Sequence, residues 1–228
     1  MEQELLSEGK CLYCAELFSQ KAIAKHLGIH LKKMQEASKK GNTYCHIVVE
    51  NGWMFLHLLV KGTEEMEDID IYLRQIWLEC CGHMSGFRNK KMEIEMDDTV
   101  AKIFTPKTQI EYDYDFGTTT RLSLKCFACY ALDESKSIIL LSRNEPLKIL
   151  CTTCKTAPAT AFCSVCIYDE DAFLCENCAT LHAKTCEDFD DYARMPVVNS
   201  PRMGECAYTG GTIDKKRDGV YSIIEKEK

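Results

Sequence analysis

Residues 151–186 read CTTCKTAPATAFCSVCIYDEDAFLCENCATLHAKTC. This stretch holds three evenly spaced Cys-x-x-Cys pairs, and one histidine and one more cysteine follow closely. Each pair lets two sulfur atoms reach one ion from a tight turn, and tetrahedral zinc takes four such ligands. Eight ligands therefore predict two zinc ions and a module that folds around metal. The predicted ligands are Cys151, Cys154, Cys163, Cys166, Cys175, Cys178, His182 and Cys186.

The order of these ligands favours interleaved pairing. The first and third Cys-x-x-Cys pairs would hold one zinc, and the second pair would join His182 and Cys186 on the other. In ligand pattern alone, this order resembles the cross-brace modules of the B-box and RING type. One zinc with spare buried thiols stays open as a simpler interpretation. A catalytic zinc is less favoured, because eight protein ligands for two ions leave no open coordination position.

A second Cys/His pattern lies at the N-terminus, with the spacing C-x2-C-x11-H-x3-H. It resembles a C2H2 zinc finger that is one residue shorter than usual between its ligand pairs. Phe18 and Ile23 occupy the two core positions of that family. His26 and His30 are four residues apart, so a helix would place both on one face. The predicted zinc ligands are Cys11, Cys14, His26 and His30.

This finger is also a candidate for contact with nucleic acid. Of the helix positions that face bases in such fingers, only Lys21 and Lys25 could hold a phosphate firmly. One finger covers only about three base pairs, too few for a specific site by itself. A solvated finger, or one that docks on protein, stays equally open. The four base-facing positions would be Ser19, Lys21, Ala22 and Lys25.

The charge of the chain is uneven. Its formal net charge is −7, which disfavours non-specific binding of the whole chain to nucleic acid. Residues 10–41 nevertheless carry seven lysines against two acidic residues, whereas residues 151–195 carry eight acidic residues against three basic ones. The N-terminal sequence lacks a signal-like apolar run, and no stretch approaches the ~20 apolar residues of a spanning helix. We therefore expect a cytoplasmic protein, with reduced thiols and no membrane association.

The middle of the chain predicts a mixed domain. Residues 44–50 and 53–60 read as strands joined across Asn51-Gly52, a strong hairpin signal. A helix after Thr63 and further strands at 110–116, 119–130 and 138–141 complete the pattern. The predicted fold is α+β, a central mixed domain flanked by two small zinc-binding modules. The expected domains are a finger at 1–41, a central domain at 42–150 completed by 196–211, a two-zinc cluster at 151–195 and a charged tail at 212–228.

Residues 53–120 and 196–211 also resemble a known family. This is the plasmid-encoded open-reading-frame-three family of Ri-plasmid origin, catalogued as transposon passenger TnpR-like proteins. The resemblance implies a compact α+β domain and an association with mobile elements, but no established activity. A serine-recombinase signature is absent from the sequence. The matching stretches are WMFLHLLVKG at 53–62, LRQIWLECCGH at 73–83, YDYDFGTTT at 112–120 and NSPRMGEC at 199–206.

The same domain contains two weaker candidates for sites. Asp113 and Asp115 alternate within a predicted strand, so both would point to one face and could bind a divalent metal for phosphodiester chemistry. They could equally form a hydrogen-bonded corner before Gly117. A third metal site is also possible, although its cysteines could simply be small buried hydrophobes. Its candidate ligands are Cys80, Cys81, His83 and Cys206.

Two further expectations concern the middle of the chain. His57 lies among leucines and valines, where we expect a histidine with satisfied hydrogen bonds. Cys126 and Cys129 lie in a predicted strand, where a spacing of three places side chains on opposite faces. We therefore assign neither cysteine to a candidate site.

The sequence as a whole favours a zinc-binding adaptor over an enzyme. The adaptor would bind nucleic acid through the basic finger or protein through the cross-brace. The alternative is a metal-dependent nuclease or hydrolase that uses Asp113 and Asp115. No catalytic residue set is otherwise identifiable, since the phosphate loop, the dinucleotide fingerprint and Gly-x-Ser-x-Gly are all absent.

Overall fold

The computed structural model describes residues 7–90, 92–169 and 172–218. The fold class is α+β, as the sequence predicts, with antiparallel sheets throughout the described residues. The described chain divides into two compact units. We call residues 7–73 and 83–145 the sheet unit, and residues 74–82 and 146–218 the cysteine-rich unit.

The N-terminal segment of the sheet unit forms a small hairpin and one long helix. Strands β1 (Glu8–Lys10) and β2 (Leu17–Ser19) pair antiparallel. Helix α1 (Gln20–Ala37) follows directly. Its apolar residues Ile23, Leu27 and Leu31 recur every four positions, so they form one stripe on the helix.

Seven antiparallel strands form the main sheet. Their order is β6-β5-β7-β8-β3-β4-β9. Asn51 pairs with Met54 across a two-residue turn in which Gly52 has a φ of 55°, so the predicted hairpin is confirmed. The strands are β3 (Asn42–Asn51), β4 (Met54–Lys61), β5 (Ser85–Asn89), β6 (Met92–Ile94), β7 (Gln109–Tyr114), β8 (Thr120–Leu132) and β9 (Ile138–Arg143).

Helix α1 packs against this sheet. Ile23, Leu27 and Leu31 are fully buried and contact Tyr44 and Phe55, among other sheet residues. Burial of each aliphatic side chain stabilises the fold by about 2 kcal/mol. The helix is therefore part of the hydrophobic core of the sheet unit.

Two shorter helices complete the sheet unit. They are α2 (Met66–Leu73), which begins three residues after the predicted cap Thr63, and α3 (Val100–Ile103). Glu65 donates its backbone N–H to the Asp68 carboxylate, which satisfies one free donor at the start of α2. Among the described residues, no helix combines the length and the apolar composition that crossing a membrane requires.

The cysteine-rich unit contains a three-stranded sheet, a short helix and two π-helical turns. The strand order is β11-β10-β12. Its apolar core is small, with Leu174, Ala179, Phe189 and Ala193 packed beside Cys163. The elements are β10 (Ala161–Cys163), β11 (Phe173–Leu174), α4 (Glu176–His182), β12 (Arg194–Pro196) and the π-helical turns Arg74–Leu78 and Phe189–Ala193.

Candidate metal centres

The four predicted ligands at the N-terminus meet in the sheet unit. Their ligand atoms all lie within 4.8 Å of one another, and we call this group the finger site. Cys14 Sγ lies 3.3 Å from His26 Nε2, which lies 3.2 Å from His30 Nε2. Four soft ligand atoms at these separations could hold one metal ion. The finger site consists of Cys11, Cys14, His26 and His30.

Local structure explains this convergence. The turn after β1 closes when Ala15, at a φ of 60°, donates its N–H to the Cys11 carbonyl. Tyr13 donates its N–H to Cys11 Sγ at 3.4 Å. Helix α1 presents both histidines on one face, and Phe18 stacks on His26 with ring centroids 3.9 Å apart. The turn and the helix therefore bring the two ligand pairs together, although the spacing between the pairs is one residue shorter than in the usual C2H2 finger.

The electrostatics of the finger site favour neutral imidazole. Burial, followed by the charge of His30, lowers the pKa of His26. Burial is also the largest influence on Cys11, and it raises the pKa of that thiol. A neutral imidazole is the form that binds metal, whereas the thiol must lose its proton on binding.

Two more groups form in the cysteine-rich unit, with the interleaved pairing that the sequence predicts. The first and third Cys-x-x-Cys pairs come together, and the second pair meets His182 and Cys186. The sulfurs of Cys154 and Cys175 are 3.9 Å apart. The first cross-brace site is Cys151, Cys154, Cys175 and Cys178, and the second cross-brace site is Cys163, Cys166, His182 and Cys186.

The elements of the small sheet position these ligands. Cys151 accepts the N–H of Lys155, which has a φ of 58°, so the first pair sits in a tight turn. Cys175 stands at the N-terminal cap position of α4, and Cys178 follows one turn later within the helix. At the second site, Cys163 ends β10 and Cys166 begins a short 3-10 helix.

The second cross-brace site contains a buried histidine nitrogen that no hydrogen bond satisfies among the described residues. The Nε2 atom of His182 is buried and has no hydrogen-bond partner in the described part of the chain. Cys186 donates its N–H to the His182 carbonyl at 2.9 Å, so one backbone turn joins the two residues. Cys186 Sγ lies 3.9 Å from the sulfurs of Cys163 and of Cys166. A buried polar atom without a partner is costly, and a metal ion at the second cross-brace site would satisfy it.

The thiols of the cross-brace sites differ in acidity. The Thr156 hydroxyl and the N–H groups of Ala157 and Thr156 lower the pKa of Cys154 to about 6. A hydrogen bond with Cys175, followed by desolvation, raises the pKa of Cys178 to about 12. Desolvation and the neighbouring thiols raise the pKa of Cys166 to about 12. Crowded sulfurs resist a second negative charge, and a bound cation relieves that repulsion.

The three cysteines of the weaker third site lie beside a buried arginine of the cysteine-rich unit. Cys80, Cys81 and Cys206 have neighbouring ligand atoms, while the fourth predicted ligand, His83, belongs to the sheet unit. Arg202 is fully buried and places its guanidinium 3.4 Å from Cys206 Sγ and 3.9 Å from Cys80 Sγ. A guanidinium there already stabilises negative sulfur, so a metal cation at these cysteines would meet a like charge.

The two aspartates of the nuclease hypothesis occupy different environments. Asp113 accepts hydrogen bonds from Arg121 at 2.7 Å and Arg88 at 3.0 Å. Burial acts to raise its pKa, but the two arginines outweigh that effect and lower it. The expectation that both carboxylates share one strand is wrong, because β7 ends at Tyr114. Asp115 has a φ of 65° and accepts the N–H groups of Gly117 and Thr118, the hydrogen-bonded corner that was the other interpretation.

The expectation for Cys126 and Cys129 is also wrong. The pairing of β3 with β8 shifts at a β-bulge, where Phe127 is the extra residue between Cys126 and Ala128. The extra residue restores both cysteines to one face, and their sulfurs lie 3.7 Å apart. Cys45 pairs directly with Cys129 across the strands, at a sulfur–sulfur distance of 3.5 Å. We call Cys45, Cys126 and Cys129 the three-thiol cluster.

The candidate nucleic-acid residues lie on the outer face of α1. Lys21 and Lys25 are exposed, as are the other two predicted base-facing positions, Ser19 and Ala22. Lys32, about two turns beyond Lys25, is exposed as well. The opposite face of the helix is buried on the sheet.

Comparisons with known proteins add little. No protein-family model matches the chain, and no curated protein matches it. One similar solved structure is the crystal structure of a protein of unknown function from Methanosarcina mazei Go1. The two chains are 11% identical, with a TM-score of 0.37, over 46% of this chain and 68% of the other. This similarity supports no conclusion about function.

Proposed function

We propose that the protein is a zinc-stabilised, non-enzymatic adaptor that binds nucleic acid through the outer face of α1. The observation that carries the zinc assignment is that the finger site and both cross-brace sites each have four cysteine or histidine ligand atoms within 4.8 Å of one another. Four protein ligands of this type match a closed structural zinc site. A closed site holds the fold and leaves no position for a substrate or a reactive water.

The donor types support zinc rather than a harder ion. Thiolate and imidazole ligands suit zinc, whereas calcium and magnesium require oxygen ligands. The mixed sets of the finger site and the second cross-brace site contain two and one histidines, respectively. Sets of the Cys2His2 and Cys3His type are typical of structural zinc.

The proposed nucleic-acid surface depends on the orientation of α1. Because Ile23, Leu27 and Leu31 are buried on the sheet, the lysine-bearing face is turned to solvent. Lys21 and Lys25 are one turn apart and could contact neighbouring phosphates. Contact through lysine and phosphate carries no base specificity, so we expect binding that is tolerant of sequence.

A second candidate partner is another protein, bound at the cysteine-rich unit. Val165, Ile167 and Leu181 are large apolar residues with exposed side chains, and Leu181 is 61% exposed. They lie next to ligands of the second cross-brace site in sequence. Exposed apolar groups held on a metal-fixed scaffold are a typical basis for protein docking.

The nuclease alternative has weaker support. Asp113 is held by two arginines, and Asp115 is engaged with backbone N–H groups. Carboxylates in these arrangements have fewer free lone pairs for a catalytic metal ion. The association with mobile elements that the family resemblance implies stays a prediction.

Elemental analysis of the purified full-length protein tests the zinc assignment. We expect about three zinc ions per chain, one for the finger site and one for each cross-brace site. His182→Ala should reduce the content by about one, because it removes one ligand from the second cross-brace site. Lys184→Ala, two residues away and outside every cluster, is the matched control and should retain all three. Fewer than two zinc ions in the wild-type protein, or iron in place of zinc, would contradict the proposal.

Affinity capture tests the partner class. The tagged protein is recovered from cell lysate with and without prior nuclease treatment. Nucleic acid recovered only from untreated lysate supports the proposed function. A protein partner that persists after nuclease treatment, without nucleic acid in either sample, would favour docking at the cysteine-rich unit.

A further inference from the structure

The three-thiol cluster is separate from the proposed zinc sites. Cys45 lies in β3, and Cys126 and Cys129 lie in the adjacent strand β8. All three sulfurs are within 4.8 Å of one another. None of these cysteines belongs to the finger site or to the cross-brace sites.

The cluster depends on an irregularity in the sheet. In a regular strand, Cys126 and Cys129 would point to opposite faces. The bulge at Phe127 instead places both beside Cys45. Such bulges are frequently found where a sheet redirects side chains towards a functional site.

Two of the three cysteines are shielded from solvent. Cys45 and Cys126 are fully buried, whereas Cys129 is partly exposed and provides a route to solvent. The Phe104 carbonyl, at the end of α3, lies 3.7 Å from Cys45 Sγ and 4.0 Å from Cys129 Sγ. The cysteines thus offer three soft ligand atoms, two on buried side chains and one on a partly exposed side chain.

We propose that Cys45, Cys126 and Cys129 bind one soft, low-coordinate metal ion of the copper(I) class. A metal about 2.3 Å from each of three sulfurs in a trigonal arrangement separates the sulfurs by about 4 Å. The observed separations of 3.5 and 3.7 Å approach that value. Each thiol that binds gives its proton to solvent, and the ion keeps its oxidation state.

The number of ligands distinguishes copper(I) from zinc. A structural zinc site takes four protein ligands. In the described part of the chain, no fourth cysteine, histidine or carboxylate oxygen joins the three sulfurs within 4.8 Å of all of them. Thiolate sulfur is a preferred ligand of copper(I), which leaves the three-thiol cluster suited to that ion rather than to a fourth zinc.

Competition titration of the full-length, zinc-loaded protein tests this assignment. Copper(I) is added without oxygen in the presence of a coloured copper(I) chelator, and zinc release is measured in the same samples. We expect one copper(I) per chain to bind without loss of zinc. Cys126→Ala and Cys129→Ser should each weaken this binding at least tenfold. Cys206→Ser, which removes an exposed thiol outside the three-thiol cluster, should leave it unchanged.

A second measurement covers the case in which a variant folds poorly. X-ray absorption of the wild-type complex should give three sulfur ligands on copper and no nitrogen ligand. Copper uptake that releases an equal amount of zinc would place the ion at a four-ligand cluster and overturn the assignment. A disulfide between Cys126 and Cys129 in protein isolated without oxidation would also overturn it, because an oxidised pair cannot ligate. Neither result bears on the zinc content, which is measured before copper is added.

Discussion

His46 and His57 form a buried pair on adjacent strands of the main sheet. His46 Nε2 lies 2.9 Å from His57 Nδ1, and both side chains are fully buried. One ring therefore donates a hydrogen bond to the other. Their remaining ring nitrogens, His46 Nδ1 and His57 Nε2, have no hydrogen-bond partner among the described residues. The expectation of a fully satisfied His57 is thus met at only one of its two nitrogens.

The pair makes stability depend on pH. Burial lowers the pKa of His46 to about 4, and burial followed by the charge of His46 lowers the pKa of His57 well below its ordinary value of 6.5. In the unfolded chain, histidine takes up a proton below about pH 6.5, whereas the folded pair stays neutral. The stabilisation is therefore fully present above pH 6.5 and is lost as the pH falls towards 4. For His46, this loss is on the order of 3 kcal/mol.

His57→Leu should flatten this dependence. Because the variant has one fewer buried histidine, its free energy of unfolding should decrease less between pH 7 and pH 5 than that of the wild type. Urea titration at several pH values, with zinc in excess, measures the difference. Acid also protonates the metal ligands, but it does so equally in both proteins.

Ile47→Val is the control for this experiment. It truncates a buried neighbour on β3 and should cost about 1 kcal/mol at every pH. If His57→Leu loses as much stability on acidification as Ile47→Val, the histidine pair is not responsible for the pH dependence.

At the scale of the element, α1 combines two roles on its two faces. Its inner stripe belongs to the core of the sheet unit, and the same helix supplies two candidate ligands to the finger site. Its outer face carries exposed lysines. The sequence predicts the helix and its ligands from their spacing. It does not predict the packing on the sheet, because the partner residues, such as Tyr44 and Phe55, are distant in the chain.

Lys21→Ala combined with Lys25→Ala should weaken nucleic-acid binding and reduce its salt dependence. Loss of two phosphate contacts should lower the slope of log affinity against log salt by roughly 1.5 to 2. Binding to a short random-sequence DNA duplex, measured over a range of salt concentrations, gives this slope. The combined variant Lys39→Ala and Lys40→Ala removes the same charge just beyond the C-terminal end of the helix and should change the slope less. Equal slopes for both double variants would exclude a specific contribution from Lys21 and Lys25.

The strand pattern was predictable only where apolar runs meet a strong turn signal. The β3–β4 hairpin follows from two nearly continuous apolar runs joined across Asn51-Gly52. Strands β5 and β6 are short and contain Gly86 and several polar residues, so their pairing was not predicted. The bulge at Phe127 was also missed, since nothing in the local pattern of β8 marks an extra residue. Register depends on both strands of a pair. The position of the extra residue in β8 is therefore set by the pairing of β8 with β3.

At the scale of the whole molecule, the two units differ in what stabilises them. The sheet unit has a large apolar core that includes the inner stripe of α1. The cysteine-rich unit has only small clusters of apolar residues beside its ligands. Small domains with little core usually require metal or disulfides, and none of the described cysteines forms a disulfide. Metal should therefore be essential for the folding of the cysteine-rich unit and less important for that of the sheet unit.

A strong zinc chelator at neutral pH should unfold the cysteine-rich unit selectively. Hydrogen exchange followed by mass spectrometry should show loss of protection in residues 151–169 and 172–186. Protection in β3, β4 and β8 should persist. Helix α1 should also remain protected, because Ile23, Leu27 and Leu31 hold it on the sheet after its metal is removed. Addition of zinc should restore the lost protection.

A different exchange pattern would contradict this account. Protection that remains in the cysteine-rich unit after complete zinc removal would mean that apolar packing suffices there. Loss of protection in α1 alone would mean that metal, rather than the buried stripe, holds the helix.

The sequence alone determined the candidate ligand sets and their pairing, because a Cys-x-x-Cys turn and a histidine pair on a helix are local patterns whose geometry varies little. The tertiary structure decided the rest: it docked α1 on the sheet, joined residues 74–82 to 146–218 in one unit, and collected Cys45, Cys126 and Cys129 on one face. Each of these features depends on segments that are far apart in the chain and meet only when the strands pair and the helix packs.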